Sequence, residues 1–77
     1  MKLKVKLVSL FAKYAREDED GFTLIEGPAT IRDLAESLGL PIRRVRIMIV
    51  NGKQSDLQTS LADGDEVYIF PPAIGGG

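Results

Sequence analysis

A chain of 77 residues with ten Lys or Arg against eleven Asp or Glu, formal net charge −1, has room for one small domain and no overall pull toward nucleic acid or anionic lipid. It has no histidine and no cysteine, so it lacks a side chain that titrates near neutrality, a thiolate nucleophile, disulfides and a thiolate metal site, and Ser9, Ser37, Ser55 and Ser60 have no histidine to activate them. No apolar run nears the roughly 18 residues of a membrane span, and Met1-Lys2 leads into a strand rather than a signal peptide, so a soluble cytoplasmic protein is expected, one that carries or binds and does not catalyse alone.

Lys2-Leu3-Lys4-Val5-Lys6-Leu7 alternates strictly, which turns Leu3, Val5 and Leu7 toward a core and three lysines toward solvent in a first strand. The alternation breaks at Val8-Ser9-Leu10-Phe11, where both faces become apolar, and Phe11 to Arg16 can form a short helical turn. Glu17-Asp18-Glu19-Asp20 reads as a solvated loop. Gly21 opens a second strand, Phe22 to Glu26, hairpinned to the first, and Gly27-Pro28 ends it.

Thr30 begins a helix. Its hydroxyl can cap the first turn while Asp33, three residues on, completes a capping-box-like pair at the positive helix end. Ile31, Leu34, Ala35 and Leu38 follow the i, i+3, i+4, i+7 spacing of one buried stripe, Gly39 suits a left-handed cap, and Pro41 stops any extension. Arg43, Arg44 and Arg46 read as a soluble loop and a polar strand face, the alternative being a contact for an acidic patch on a partner. Val45 to Val50 is a third strand, rich in β-branched residues and closed by an Asn51-Gly52 turn. Residues 53–62 are expected to be short and irregular, with Leu57 and Leu61 as core anchors. Asp63-Gly64-Asp65 turns into a last strand, Glu66 to Phe70, in which Val67 and Ile69 alternate with Tyr68 and Phe70.

A hairpin, a crossover helix and later strands build a mixed α+β sheet with one main helix on one face. If the last strand lies parallel beside the first through a right-handed crossover, the arrangement is a β-grasp, spanning 1–70. Its other face has nothing in this chain to cover it. Val8, Leu10, Tyr68 and Phe70 are expected to meet there as an exposed apolar patch; the alternative is that some turn inward through a bulge or pack under the turn at 12–16.

The remaining residues, Pro71-Pro72-Ala73-Ile74-Gly75-Gly76-Gly77, read as a flexible tail. Pro71-Pro72 hold its base extended and accept no ladder pairing. Glycines without Cβ atoms can enter a slot too narrow for other residues, and Gly77 ends in a carboxylate that another enzyme could activate.

Leu61-Ala62-Asp63-Gly64-Asp65-Glu66-Val67, then Phe70-Pro71-Pro72, then terminal glycines, resembles the MoaD/ThiS group of ubiquitin-like sulfur carriers. Phe11-Ala12-Lys13, Thr30-Ile31-Arg32-Asp33-Leu34 and Val50-Asn51-Gly52 also match, and Phe70-Pro71-Pro72 favours the MoaD branch, the small subunit of molybdopterin synthase. The resemblance implies that a ubiquitin-activating-type enzyme uses ATP to adenylate the Gly77 carboxylate, and that a sulfur donor, a persulfide enzyme, displaces AMP to leave a thiocarboxylate. Gly75 and Gly76 would thread the activating slot. The thiocarboxylate would pass sulfur to a molybdopterin precursor in a complex with a MoaE-like large subunit, docked through Val8, Leu10, Tyr68, Phe70, Pro71 and Pro72. No bound cofactor, metal, nucleic acid or membrane is implied.

MoaD-type tails run Pro-Pro, two residues, Gly-Gly, and end; Gly77 is one residue more, which moves the carboxylate by roughly 3.3 Å. Trimming of Gly77, partners that accept it, and a different partner all stay open. So do two other readings: a ubiquitin-like modifier conjugated through Gly77 to a lysine, and a β-grasp binding module whose tail has no chemistry.

Overall fold

The computed structural model describes residues 1–17, 19, 21–26 and 29–71. Asp18, Asp20, the Gly27-Pro28 strand stop, and Pro72, Gly75, Gly76 and Gly77 of the tail lie outside the described residues.

The strand β1, Lys2–Leu7, lies inside the main sheet with a neighbour on either side. Its alternation does what the pattern predicts: Leu3 and Val5 are buried, the three lysines are exposed, and Leu7 is half-buried against the core. On one side β1 pairs antiparallel with β2, Thr23–Leu24, which is shorter than the five residues expected. On the other it pairs in parallel with the last strand, β7, Glu66–Phe70, in the register Lys4↔Glu66 to Leu7↔Ile69. Beyond β7 lie the antiparallel strands β4, Ile47–Val50, and β5, Lys53–Ser55. Among the described residues the main sheet therefore has five strands in the order β2-β1-β7-β4-β5. This is the mixed sheet of a β-grasp, ubiquitin-like fold, with the parallel pair at its centre and a helix across one face.

That helix, α1, spans Ile31–Leu38 and is capped as its sequence predicts. The Asp33 amide donates to the Thr30 hydroxyl at 3.3 Å, and the Thr30 amide donates to the Asp33 carboxylate at 3.1 Å. At the other end Gly39 takes a left-handed φ of 80°, and the Leu40 amide reaches back to the Ala35 carbonyl at 2.9 Å. Both ends thus satisfy backbone groups that a bare helix leaves open. Ile31, Leu34, Ala35 and Leu38 press onto Leu3, Val5, Met48, Val50, Val67 and Ile69, all within one buried cluster. Leu61 is buried in the same cluster and Leu57 packs against it, as the two expected anchors.

Besides the short β2, three stretches differ from the sequence-based reading. The stretch 53–62 is not irregular: Lys53–Ser55 pairs with β4, and β6, Ser60–Leu61, pairs antiparallel with β3, Ala29–Thr30, in a separate two-stranded sheet. Asn51 and Gly52 both have positive φ, 51° and 82°, so the turn is of the kind that returns a strand directly onto its neighbour. The 57–61 segment has a second task, because the amides of Ile31 and Arg32 donate to the carbonyls of Thr59 and Leu57, each at 3.1 Å. Two of the orphan donors of α1 are satisfied by a segment some thirty residues away in the chain. The third strand begins at Ile47 rather than Val45, because Ile42–Arg44 forms a 3-10 turn first. The helical turn after β1 begins at Ser9 and not at Phe11: it is a 3-10 helix, Ser9–Tyr14, with Phe11 buried. Ser9 has φ of 57°, and this left-handed residue swings the chain off the sheet.

Candidate functional site: the uncovered sheet face

Residues on directly paired positions of neighbouring strands point to the same face of a sheet. Helix α1 covers the face that carries Val67 and Ile69, so Glu66, Tyr68 and Phe70 lie on the other. The register places Ile49 opposite Tyr68 and Ile47 opposite Phe70, with Lys6 beside Tyr68 and Lys4 beside Glu66 across the parallel pair. The amide of Val8 donates to the Ile69 carbonyl at 3.2 Å, and Val8 has extended backbone angles, so it carries the parallel ladder one step on and stands abreast of Phe70.

The uncovered face therefore holds an apolar block: Tyr68 and Ile49 in one row, Val8, Phe70 and Ile47 in the next. Tyr68 is 39% exposed and Ile47 40%; Val8, Ile49 and Phe70 are half-buried by one another and by the strands. Of the residues expected to form the patch, Val8, Tyr68 and Phe70 come together on the sheet. Leu10 lies not on a strand but on the 3-10 helix that follows, beyond the turn at Ser9, and is 58% exposed. Pro71 follows directly at the end of β7 and is half-buried, so the chain leaves the sheet from the edge of the block.

Sequence reasoning missed Ile47 and Ile49. The signal was present, since they alternate with the buried Met48 and Val50, but which face they joined depended on β4 lying beside β7. The two rows continue toward β1 into charge. Lys4, Lys6, Glu17, Gly21, Glu66 and Tyr68 line a depression of about 230 Å³. Still further across, the Lys2 and Lys4 ammonium groups sit 5.8 and 5.9 Å from the centre of the Phe22 ring, within cation–π range.

The face is mixed in chemistry. It has an aromatic and aliphatic centre, which interface cores favour, and a polar margin. Among the described residues, no group of three or more carboxylates gathers to hold a metal ion. No helix of the described residues is long and apolar enough to cross a membrane.

Comparison with known proteins agrees with this architecture. A search of curated protein sequences gives no match. Among solved structures, the crystal structure of SAMP1 from Haloferax volcanii is similar over 99% of this chain and 100% of that one, at 25% identity and a TM-score of 0.65. The profile of the Mut7-C ubiquitin family matches residues 2–74, nearly the whole chain. The chain belongs to the Mut7-C ubiquitin family, a small β-grasp, ubiquitin-like domain.

Proposed function

We propose that this protein is a ubiquitin-like carrier activated at the carboxylate of Gly77 by a ubiquitin-activating-type enzyme. One observation supports it above the others: β7 lies in the middle of the sheet, and its end at Phe70-Pro71 adjoins an uncovered apolar block. A partner seated on that block is positioned to take up the residues that follow. The Gly77 carboxylate attacks the α-phosphorus of ATP and pyrophosphate leaves, giving an acyl-adenylate. A carboxylate is a poor electrophile; the adenylate turns it into one with a good leaving group. The domain supplies the tail and the docking face, and the partner supplies every catalytic group, which suits a chain with no histidine and no cysteine.

Two fates of the adenylate follow from which nucleophile meets it. A lysine amine of another protein expels AMP, loses a proton and leaves an amide bond, which makes the chain a modifier. A persulfide sulfur expels AMP to give an acyl disulfide, and a second thiol then attacks the donor's sulfur, taking it as a disulfide and leaving the thiocarboxylate, which makes the chain a sulfur carrier. The match to a ubiquitin family supports the modifier reading more directly. The MoaD-type sulfur carrier, docked on a MoaE-like large subunit and serving molybdopterin synthesis, rests on Phe70-Pro71-Pro72 and the terminal glycines.

Intact-mass analysis after incubation with ATP, an activating enzyme and a sulfur donor tests the shared step. An exchange of one oxygen for sulfur, abolished when Gly77 is blocked as an amide, identifies a sulfur carrier. Attachment of the chain to lysines through Gly77 in the native host identifies a modifier. Thiocarboxylate on a chain one glycine shorter shows trimming. A folded protein that yields neither product with any activating enzyme of its host overturns the proposal.

A further inference from the structure

Asn51 is the only asparagine of the chain, and Gly52 follows it. An asparagine before a glycine is the pair most open to loss of its side-chain ammonia, because glycine has no Cβ to hinder attack by its own backbone nitrogen. Burial gives no shelter here, since both residues are exposed to water. What restrains the side chain is a set of hydrogen bonds to the start of β7. The Asn51 side-chain nitrogen donates to Asp65 Oδ1 at 2.9 Å, and its oxygen accepts from the Glu66 amide at 3.0 Å. The Asn51 backbone amide donates to the Glu66 carbonyl at 2.8 Å. Asp65 is itself held: Oδ2 accepts from the Ala62 amide at 2.8 Å, and its carbonyl accepts from the Lys4 amide at 2.9 Å.

We infer that Asn51 is a site of spontaneous deamidation that the fold holds in check through Asp65, and that the reaction, once it occurs, unfastens the hairpin turn from β7. The Gly52 backbone nitrogen gives its proton to solvent base and attacks Cγ of Asn51. The bond from Cγ to the side-chain nitrogen breaks, ammonia leaves, and a cyclic succinimide closes. Water then opens the ring at either carbonyl, leaving aspartate or its isomer in which the main chain runs through Cγ. Water is the only co-reactant, and nothing is oxidised or reduced. To swing behind the Gly52 nitrogen, the side chain must give up both of its bonds to β7, one of them charge-assisted. The product does not restore them. A carboxylate at position 51 still accepts from the Glu66 amide but has no proton for Asp65, so two negative groups face each other where a bond stood. The isomer also lengthens the backbone of a two-residue turn whose positive φ angles, 51° and 82°, return β4 onto β5. None of this involves the tail.

The test follows the full chain in mildly alkaline buffer by intact mass, which registers the exchange of an amide nitrogen for oxygen. Peptide mapping assigns the exchange to Asn51 rather than to Gln54 or Gln58, and amide resonances show that each variant is folded. Wild type unfolded in guanidinium chloride at the same pH should react about a hundred-fold faster than folded wild type, because two hydrogen bonds no longer have to break together. Folded Asp65→Ala should react about ten-fold faster than folded wild type, and Asp65→Asn, which keeps an oxygen for Asn51, at an intermediate rate. If Asp65→Ala does not fold, Asp65→Asn carries the test. Thr30→Ala weakens the helix cap without touching this turn and controls for global unfolding; its rate should stay near that of wild type. Asn51→Asp should lower the unfolding midpoint and shift the amide resonances of Asp65 and Glu66. Equal rates in folded and unfolded wild type, folded Asp65 variants no faster than wild type, or Thr30→Ala accelerated as much as they are would each overturn the inference. An unchanged midpoint for Asn51→Asp would overturn the unfastening of the turn.

Discussion

The two faces of the five-stranded sheet are made by the same strands, residue by alternate residue, and differ in what lies over them. On the helix side, Leu3, Val5, Met48, Val50, Val67 and Ile69 are buried beneath α1. On the other side, Ile47 and Tyr68 are exposed and Ile49 and Phe70 only half-buried, although all four are largely apolar. The first face stabilises the fold, at roughly 25 cal/mol for each Å² of apolar surface removed from solvent. The second forgoes that stabilisation in the isolated chain. An apolar block that a small domain leaves uncovered, at the point where its chain departs the sheet, is available for binding. On the function proposed here, the difference between the faces is one of task as much as of hydrophobicity.

Substitutions on the two sides should separate these tasks. The largest effect on stability is expected from Leu34→Ala, which leaves a cavity under the helix and should cost about 2–5 kcal/mol in urea unfolding. A cost well below that range would mean the helix is not the cover of the inner face. Thr30→Ala removes one half of the capping box and should cost about 1 kcal/mol, because the Asp33 amide loses its acceptor. If Thr30→Ser fails to restore most of that loss, the hydroxyl is not the stabilising group. Tyr68→Ser, on the uncovered face, loses only its cross-strand pairing with Ile49 and its neighbours, under about 1 kcal/mol. It should instead weaken partner docking, and an unfolding midpoint shifted as far as that of Leu34→Ala would erase the contrast between the faces. Gly76→Val should leave the midpoint where it is and abolish activation of Gly77. Normal adenylation of that variant would show that the glycines are not needed for entry into the activating enzyme.

Much of the fold was legible in the sequence because it is written in short-range patterns. The alternation of Lys2 to Leu7 and Glu66 to Phe70, the Thr30–Asp33 box, Gly39 and the Asn51-Gly52 turn each depend on neighbours a few residues away. All of them appear as predicted. Asn51 shows why that turn is so well marked: its side chain donates to Asp65 at 2.9 Å and accepts from the Glu66 amide at 3.0 Å, tying the hairpin to the start of β7. The site was half legible. Tyr68 and Phe70 follow from alternation within one strand, and Val8 from its continuation of β1. That Leu10 sits on a 3-10 helix and not on the strand was not legible, because a single left-handed serine redirects the chain and nothing in Ser9 itself announces that conformation.

What the sequence determined by itself, then, is the local grammar of strands, cap and turn, together with an inventory lacking histidine and cysteine. Only the tertiary structure decided which strands became neighbours. The pairing of Ala29–Thr30 with Ser60–Leu61 joins residues with weak strand signals of their own, and the carbonyls of Leu57 and Thr59 find their donors on a helix far back in the chain. The meeting of Ile47 and Ile49 with Tyr68 and Phe70 is likewise a consequence of β4 lying antiparallel to β7. The physical reason is the same in each case. A two-residue strand or an outward isoleucine has almost no intrinsic preference, and its conformation and surroundings are set by contacts that form only when distant segments are brought together by the core.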